Sequence, residues 1–214
     1  MTNRRIQDVF AKRLMLFLLA GFLAVNANAL LILNLDDGVG NTVTVNDADG
    51  DGIVIFSGSL GTWYFNLTAG FSAPAIGDAN TDAMDLFSFN ASQGLGTMTI
   101  MLTDDGFTRT GGTWLSAVGG TTTGEVSFDT YIGASLVSTF TSGPYAFANT
   151  QSGTITAPAP YSMSLVAMID HGRYGGVTSF DYYVQAVDLP EPGSAMLMGL
   201  GLLALGAIRL RRAA

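Results

Sequence analysis

Thr97-Met98-Thr99-Ile100-Met101-Leu102-Thr103 alternates hydroxyl-bearing and apolar side chains, with Met101 the one apolar residue in the hydroxyl phase. A β-strand sends successive side chains to opposite faces, so Met98, Ile100 and Leu102 can pack while the threonines meet water. The same two-residue period extends outward along the chain. Trp63-Tyr64-Phe65-Asn66-Leu67-Thr68 puts Trp63, Phe65 and Leu67 on one side. Phe180, Tyr182, Val184 and Ala186 alternate with Asp181, Tyr183, Gln185 and Val187. Further strands are expected at 30–35, 41–45, 53–57, 84–90, 124–131, 135–141 and 162–169, rich in Thr, Val, Ile and aromatics. Gly, Asp and Asn punctuate these runs, as an antiparallel sandwich requires. Residues 72–83 are irregular enough to hold a short helical turn, and the Gly/Thr stretch 119–124 reads as a flexible loop. The expected body, residues 30–188, is all-β: an antiparallel β-sandwich of jelly-roll-like kind, with its strand order left open.

Length and charge bound the rest. The chain has 214 residues, no Cys and a formal net charge of −8. Without Cys there are no disulfides, no thiolate zinc sites and no thiol catalysis. The acidic balance excludes nucleic acid as a partner, since phosphate neutralisation needs clustered Lys and Arg. The basic residues sit at the two ends. Between Leu30 and Leu189 only Arg109 and Arg173 oppose fifteen acids, so the body carries −13.

Both ends read as addresses. A basic segment ending at Arg13 precedes an apolar run over 14–25, and Ala27-Asn28-Ala29 offers small side chains at the positions a signal peptidase admits. Residues 1–29 are therefore expected to be a signal peptide with a signal helix, cleaved before Leu30. Its twelve apolar residues rise about 18 Å, too short to span a bilayer. Residues 189–214 hold Pro190-Glu191-Pro192, a Gly-rich apolar stretch over 193–208, and Arg209, Arg211 and Arg212. Sixteen residues make a helix of about 24 Å, a marginal transmembrane helix, with arginines placed to stay on the cytoplasmic side. The order of tripeptide, short apolar helix and arginine cluster resembles the PEP-CTERM sorting signal of Gram-negative bacteria. That resemblance implies anchoring in the inner membrane, then processing near the tripeptide by an exosortase-type membrane protease. It also implies a destination at the cell surface or outside the cell, in association with exopolysaccharide and biofilm.

Three groups in the body invite chemistry. Asp47, Asp49 and Asp51 stand at i, i+2 and i+4, with Gly52 permitting a bend that would let the carbonyl of Ile53 join them. An EF-hand would place an acid at the position held by Gly58, so a complete EF-hand is excluded. Two readings stay open: a Ca2+-stapled β-loop completed by Asp36 and Asp37 or by Asp104 and Asp105, and a turn rich in Asp and Gly for backbone reasons alone. His171 is the one histidine, and no G-x-S-x-G elbow occurs; it reads as a histidine at a strand end. Trp63 falls on an apolar strand face and reads as core, whereas Trp114, flanked by Gly111-Gly112 and Gly119-Gly120, reads as exposed and able to stack on a sugar. No catalytic residue is expected, and Ca2+ is the one cofactor considered. The sequence thus points to a non-enzymatic exported protein, structural or adhesive in an exopolysaccharide matrix. The alternatives are a carbohydrate-binding module and an envelope glycoside hydrolase or lyase.

Overall fold

The structure, a computed structural model, describes residues 30–77, 81–94 and 96–187. Twelve strands occupy them: β1 (Ile32–Asp36), β2 (Thr42–Asn46), β3 (Ile53–Leu60), β4 (Trp63–Phe71), β5 (Ala83–Ser92), β6 (Thr97–Phe107), β7 (Thr113–Thr122), β8 (Glu125–Ile132), β9 (Ser135–Ser142), β10 (Tyr145–Thr154), β11 (Tyr161–Asp170) and β12 (Gly176–Val187). The expected signal helix and transmembrane helix, and with them the signal-cleavage and sorting residues, lie outside the described residues. Among the described residues the one helical element is a single 3-10 turn, Gly172–Tyr174, and no helix is long and apolar enough to cross a membrane.

Two six-stranded antiparallel sheets form, in the orders β2-β1-β6-β11-β8-β9 and β10-β7-β12-β5-β4-β3. From β5 onward the chain is wound as nested pairs, β5 with β12, β6 with β11, β7 with β10 and β8 with β9. Successive pairs fall in alternate sheets, which is the order of a jelly roll. The hairpins β1–β2 and β3–β4 extend one edge of each sheet, and the chain crosses from the first sheet to the second between β2 and β3.

The opening heptapeptide is central in this plan. β6 pairs with β1 on one side and β11 on the other, and Met98, Ile100 and Leu102 are wholly buried. From β11, Met163, Leu165, Ala167 and Ile169 meet them in the same layer. The facing sheet contributes Phe180, Tyr182, Val184 and Ala186. Phe128 sits among Phe140, Phe147, Phe180 and Tyr182, with ring centroids 5.1–6.5 Å apart. Hydroxyls also bridge the layers: Thr130 on β8 bonds Ser116 on β7 at 3.2 Å and Tyr182 on β12 at 2.5 Å.

Two expectations need correction. Residues 119–122 belong to β7, paired with both β10 and β12, so they are not a flexible loop. The glycine there is required by packing: a Cβ on Gly120 would overlap the Ser179 carbonyl and press on the Phe147 ring. Leu67, expected on the side of Trp63 and Phe65, faces outward because the pairing register shifts after Phe65, whereas residues 72–77 hold the short turn expected there, with Ile76 N–H bonding the Ser72 carbonyl at 3.0 Å.

β5 departs from the polarity its sequence suggests. Met84 and Leu86 point inward and set its phase, which sends Ser88, Asn90 and Ser92 into the core and Phe87 and Phe89 outward. Ser88 is held by Thr68 at 2.8 Å and by the Asn90 amide at 3.1 Å, while Asn90 Oδ1 is buried with no partner.

Truncating the ring at the centre of the aromatic cluster, Phe128→Ala, is expected to cost about 3–5 kcal/mol. Denaturant unfolding with an unchanged slope is the measurement that checks it.

Candidate functional site

Both chain ends of the described body reach one pole. β12 finishes with Val187 opposite Thr113, and the Leu30 N–H lies 3.4 Å from Asp105 Oδ1 at the end of β6. The loop 47–52 closes the same pole. Asp47 is buried there and accepts the backbone N–H groups of Gly50 at 2.8 Å, Asp51 at 3.3 Å and Gly52 at 2.8 Å. Burial opposes its charge, but the N–H groups of Gly52 and Gly50 outweigh that and hold the carboxyl below its usual range. Asp51 caps the start of β3 by accepting Ile53 N–H at 2.9 Å.

One carboxylate oxygen from each of Asp47, Asp49 and Asp51 lies within 4.8 Å of the others. Ligands at Ca2+ distances of 2.3–2.6 Å can be that far apart across one ion, so the three fit a shared cation. Of the two acid pairs considered as completing ligands, the structure separates Asp37 and brings Asp104 near. Asp37 closes the β1–β2 turn at the other pole, with its oxygens taken by Val39 N–H, Asn41 N–H and the Asn41 amide. Asp104 is fully buried, bonds Ser72 Oγ at 2.5 Å and Asp105 N–H at 2.8 Å, and feels the charge of Asp47. Burial raises its pKa. The packing is tight: a Cβ on Gly52, itself at φ +79°, would overlap the backbone of Ser72–Ala75.

Trp114 is 5% exposed, on the inner face of β7, with its indole against Gly153. Gly119 and Gly120 are strand residues, Gly111 and Gly112 precede the strand, and the tryptophan is core, unavailable for stacking on a sugar. Trp63 is core as expected.

His171 ends β11 as a buried residue. Nδ1 lies 2.8 Å from Ser92 Oγ and Nε2 lies 2.7 Å from Thr178 Oγ1, which bonds Thr122 Oγ1 at 2.7 Å. The ring packs on Trp63 at 4.7 Å. Burial pushes its pKa down to about 4, against a small opposing effect of Asp170. This neutral imidazole ties β5, β7, β11 and β12 together; Asp170, which a triad would use, bonds Gly172 N–H instead.

A carboxyl pair that the sequence reading missed lies on the outer face of the second sheet. Asp85 on β5 and Asp181 on β12 are hydrogen-bonded to each other, and burial and that contact push Asp85 up to about 7. Asp85 Oδ1 is buried without a further partner. Carboxyls flanking a glycosidic bond stand about 5 Å or more apart. Two in contact leave no room for that bond. The signal was in the text: Asp85, Phe87 and Phe89 share one phase, as do Asp181 and Tyr183. Their register across β5 and β12 was not.

The PEP-CTERM protein-sorting motif matches residues 188–212, beginning one residue after the end of β12. The chain thus carries the sorting motif that its C-terminal sequence resembles, and the motif implies an exported protein subject to exosortase processing. No curated protein matches the chain. Among solved structures, a PA14 sugar-binding domain from an RTX adhesin is similar at 19% identity, over 39% of this chain and 43% of that one, with a TM-score of 0.30. The chain therefore covers less than half of that domain. A carbohydrate-binding module of family 29 is similar at 12% identity, over 64% of this chain and 90% of that one, with a TM-score of 0.27. At these scores neither likeness bears on fold or function.

Asp47→Ala is expected to cost about 2–3 kcal/mol, because three N–H groups lose their acceptor, whereas exposed Asp49→Ala stays within about 0.5 kcal/mol. Thermal unfolding also reads the metal. An ion seated in the loop raises Tm in millimolar Ca2+, reversibly with chelator and not in Asp49→Asn; an indifferent Tm leaves the loop as a turn built on Asp47.

His171 and Asp85 oppose each other in pH dependence. The lowered pKa of His171 contributes stability that is complete above about 6.5 and lost as pH falls towards 4. The raised pKa of Asp85 contributes stability complete below 3.8 and lost as pH rises through about 7, with Asp104 acting in the same direction. The losses at Asp85 and Asp104 outweigh the gain at His171, so the wild type is expected to lose some stability as pH rises from 4 to 7. Asp85→Asn should gain stability with rising pH, by about 3 kcal/mol at most, and His171→Gln should lose it. Chemical denaturation across that range checks both signs.

Proposed function

We propose that this protein is exported, held in the inner membrane by its C-terminal segment, and processed near Pro190-Glu191-Pro192 by an exosortase-type protease. Its body then acts at the cell surface or outside the cell, in a structural or adhesive role within an exopolysaccharide or biofilm matrix. The sorting motif at residues 188–212 is the observation that carries this reading.

Several features of the body support a scaffold over a catalyst. Its histidine is bonded at both ring nitrogens inside the core. Its adjacent carboxyls, Asp85 and Asp181, touch instead of straddling a bond. A surface with two arginines against fifteen acids stays soluble and repels polyanions. Hydroxyl-bearing outer strand faces, such as Thr97, Thr99 and Thr103 of β6, offer donors and acceptors to a hydrated polymer.

In a host encoding an exosortase, mass spectrometry of the recovered protein is expected to find chains beginning at Leu30 and lacking the arginine-bearing tail. Deleting the exosortase, or replacing Pro190-Glu191-Pro192 by alanines, should leave the tail attached and the protein in the membrane fraction. Recovery of tailed protein from wild-type cells, unchanged by either alteration, overturns the reading.

A further inference from the structure

We propose that the outer face of the second sheet is a polysaccharide-binding platform for a flat, uncharged, β-1,4-linked chain. The inference rests on the proposed matrix role and names the surface through which it is exercised.

The starting point is the inverted polarity of β5. Burying Ser88 and Asn90 while exposing Phe87 and Phe89 is costly on both sides of the sheet. The Asn90 carbonyl oxygen is left without a partner inside, and Phe89 is 39% exposed outside. The outward aromatics do not stand alone. The pairing register sets Phe89 beside Leu67, and Phe87 beside Ala69 and then Ile55. In the next row Ala91 lies between Tyr64 and Val177. Tyr64 is 59% exposed, Ile55 56%, Val177 42% and Leu67 38%. A contiguous apolar band therefore crosses β12, β5, β4 and β3 on a molecule whose body otherwise carries −13. Register shifts after Phe56 and Phe65, at the β3–β4 and β4–β5 ladders, bend the sheet at this band.

Next to the band the surface changes character in one strand step. Beside these rows the outward positions of β7 and β10 are small, Thr121, Gly119 and Ala117 next to Ala146, Ala148 and Thr150, with Gly119 directly between Asp181 and Ala148 and a larger side chain, Leu115, only further along β7. The face is thus a low ledge about two strand spacings wide, ~10 Å, bordered by the taller side chains of Asp181 and Tyr183 on β12, with β5 beyond them. Asp85 and Asp181 stand on the border. Asp181 is exposed and Asp85 half-buried beside Phe87 and Tyr183, with Asp85 Oδ1 shut off from solvent, so the Asp181 carboxylate is the acceptor that the face offers.

The chemistry of that arrangement selects the occupant. Apolar ring faces take the C–H faces of a pyranose, and adjoining carboxyl oxygens accept from its equatorial hydroxyls. An extended ribbon of β-1,4-linked sugars can present both along the open face of a sheet, whereas a coiled α-linked chain cannot. A polyanion would be repelled by the carboxyl pair and by the body's net charge.

Affinity electrophoresis of the full chain in non-ionic detergent tests this, in native gels cast with hydroxyethyl cellulose, dextran or alginate. Retardation is expected in hydroxyethyl cellulose alone. Phe89→Ala and Asp181→Asn, both exposed and expected to leave Tm unchanged, should each weaken the apparent affinity by about tenfold, while Met168→Ala, exposed on the outer face of the first sheet, should not. No retardation in hydroxyethyl cellulose, equal retardation in alginate, or retardation indifferent to both variants overturns the proposal. So does a dimer in light scattering that Phe89→Ala dissociates, since a second copy would then cover the face. Tail removal and retention in the matrix are measured separately, so the sorting reading can stand while this surface fails.

Discussion

A strand in a two-layer sandwich has only two phases, and choosing one commits every side chain along it. Here the choice is made by the nested pairs β6/β11 and β5/β12, whose inward residues form the shared layer of the core. Once Ile100 and Leu102 face Leu165 and Ala167 in one sheet, and Tyr182 and Val184 face them from the other, the edge hairpins can only follow. No disulfide assists, so the long ladders between distant segments hold the ends of the domain together. Loss of one slip position in those pairs would turn the whole buried set towards water.

That commitment explains why polar groups lie inside. The phase of β5 is dictated by Met84 and Leu86, and Ser88, Asn90 and Ser92 are carried inward as a consequence. Their neighbours meet the demand locally: Thr68 for Ser88, and the His171, Thr178 and Thr122 chain for Ser92. The hydroxyls of Ser116 and Thr130 with Tyr182 do the same across the two layers. Directional bonds of this kind discriminate between registers more sharply than hydrocarbon contacts do. The core is therefore specified as well as filled. The aromatic side chains displaced outward are the counterpart of the same event, and they give one face of the domain its distinct character.

Much of the architecture was legible because period-two alternation is strong where one face is dry and the other wet. β6, β11 and β12 show it cleanly, as does the start of β4. Legibility failed where glycine stood for two different things. Gly119 and Gly120 resemble loop residues, yet Gly120 is small because Ser179 and Phe147 come too close for a Cβ. Misreading that segment also misplaced Trp114, whose neighbours across the sheet, not along the chain, bury it. The Asp47 loop was half legible. Its spacing gave three convergent carboxylates, but the three backbone N–H groups that occupy Asp47 appear only in the folded turn. Asp85 and Asp181 escaped notice for the plainest reason: they are 96 positions apart and become neighbours only through the register of β5 with β12.

The absence of a spacer after β12 has a mechanical meaning. Val187 is still paired with Thr113, and Pro190 follows three residues later. Even fully stretched, three residues reach only about 10 Å, less than the thickness of the sandwich itself. A protease embedded in a bilayer and cutting at that proline would have to seat the folded domain almost against its own mouth, or else peel the final strand from between β5 and β7. Peeling would remove the central strand of its sheet, so scission and the integrity of the domain are tied to a single stretch of backbone.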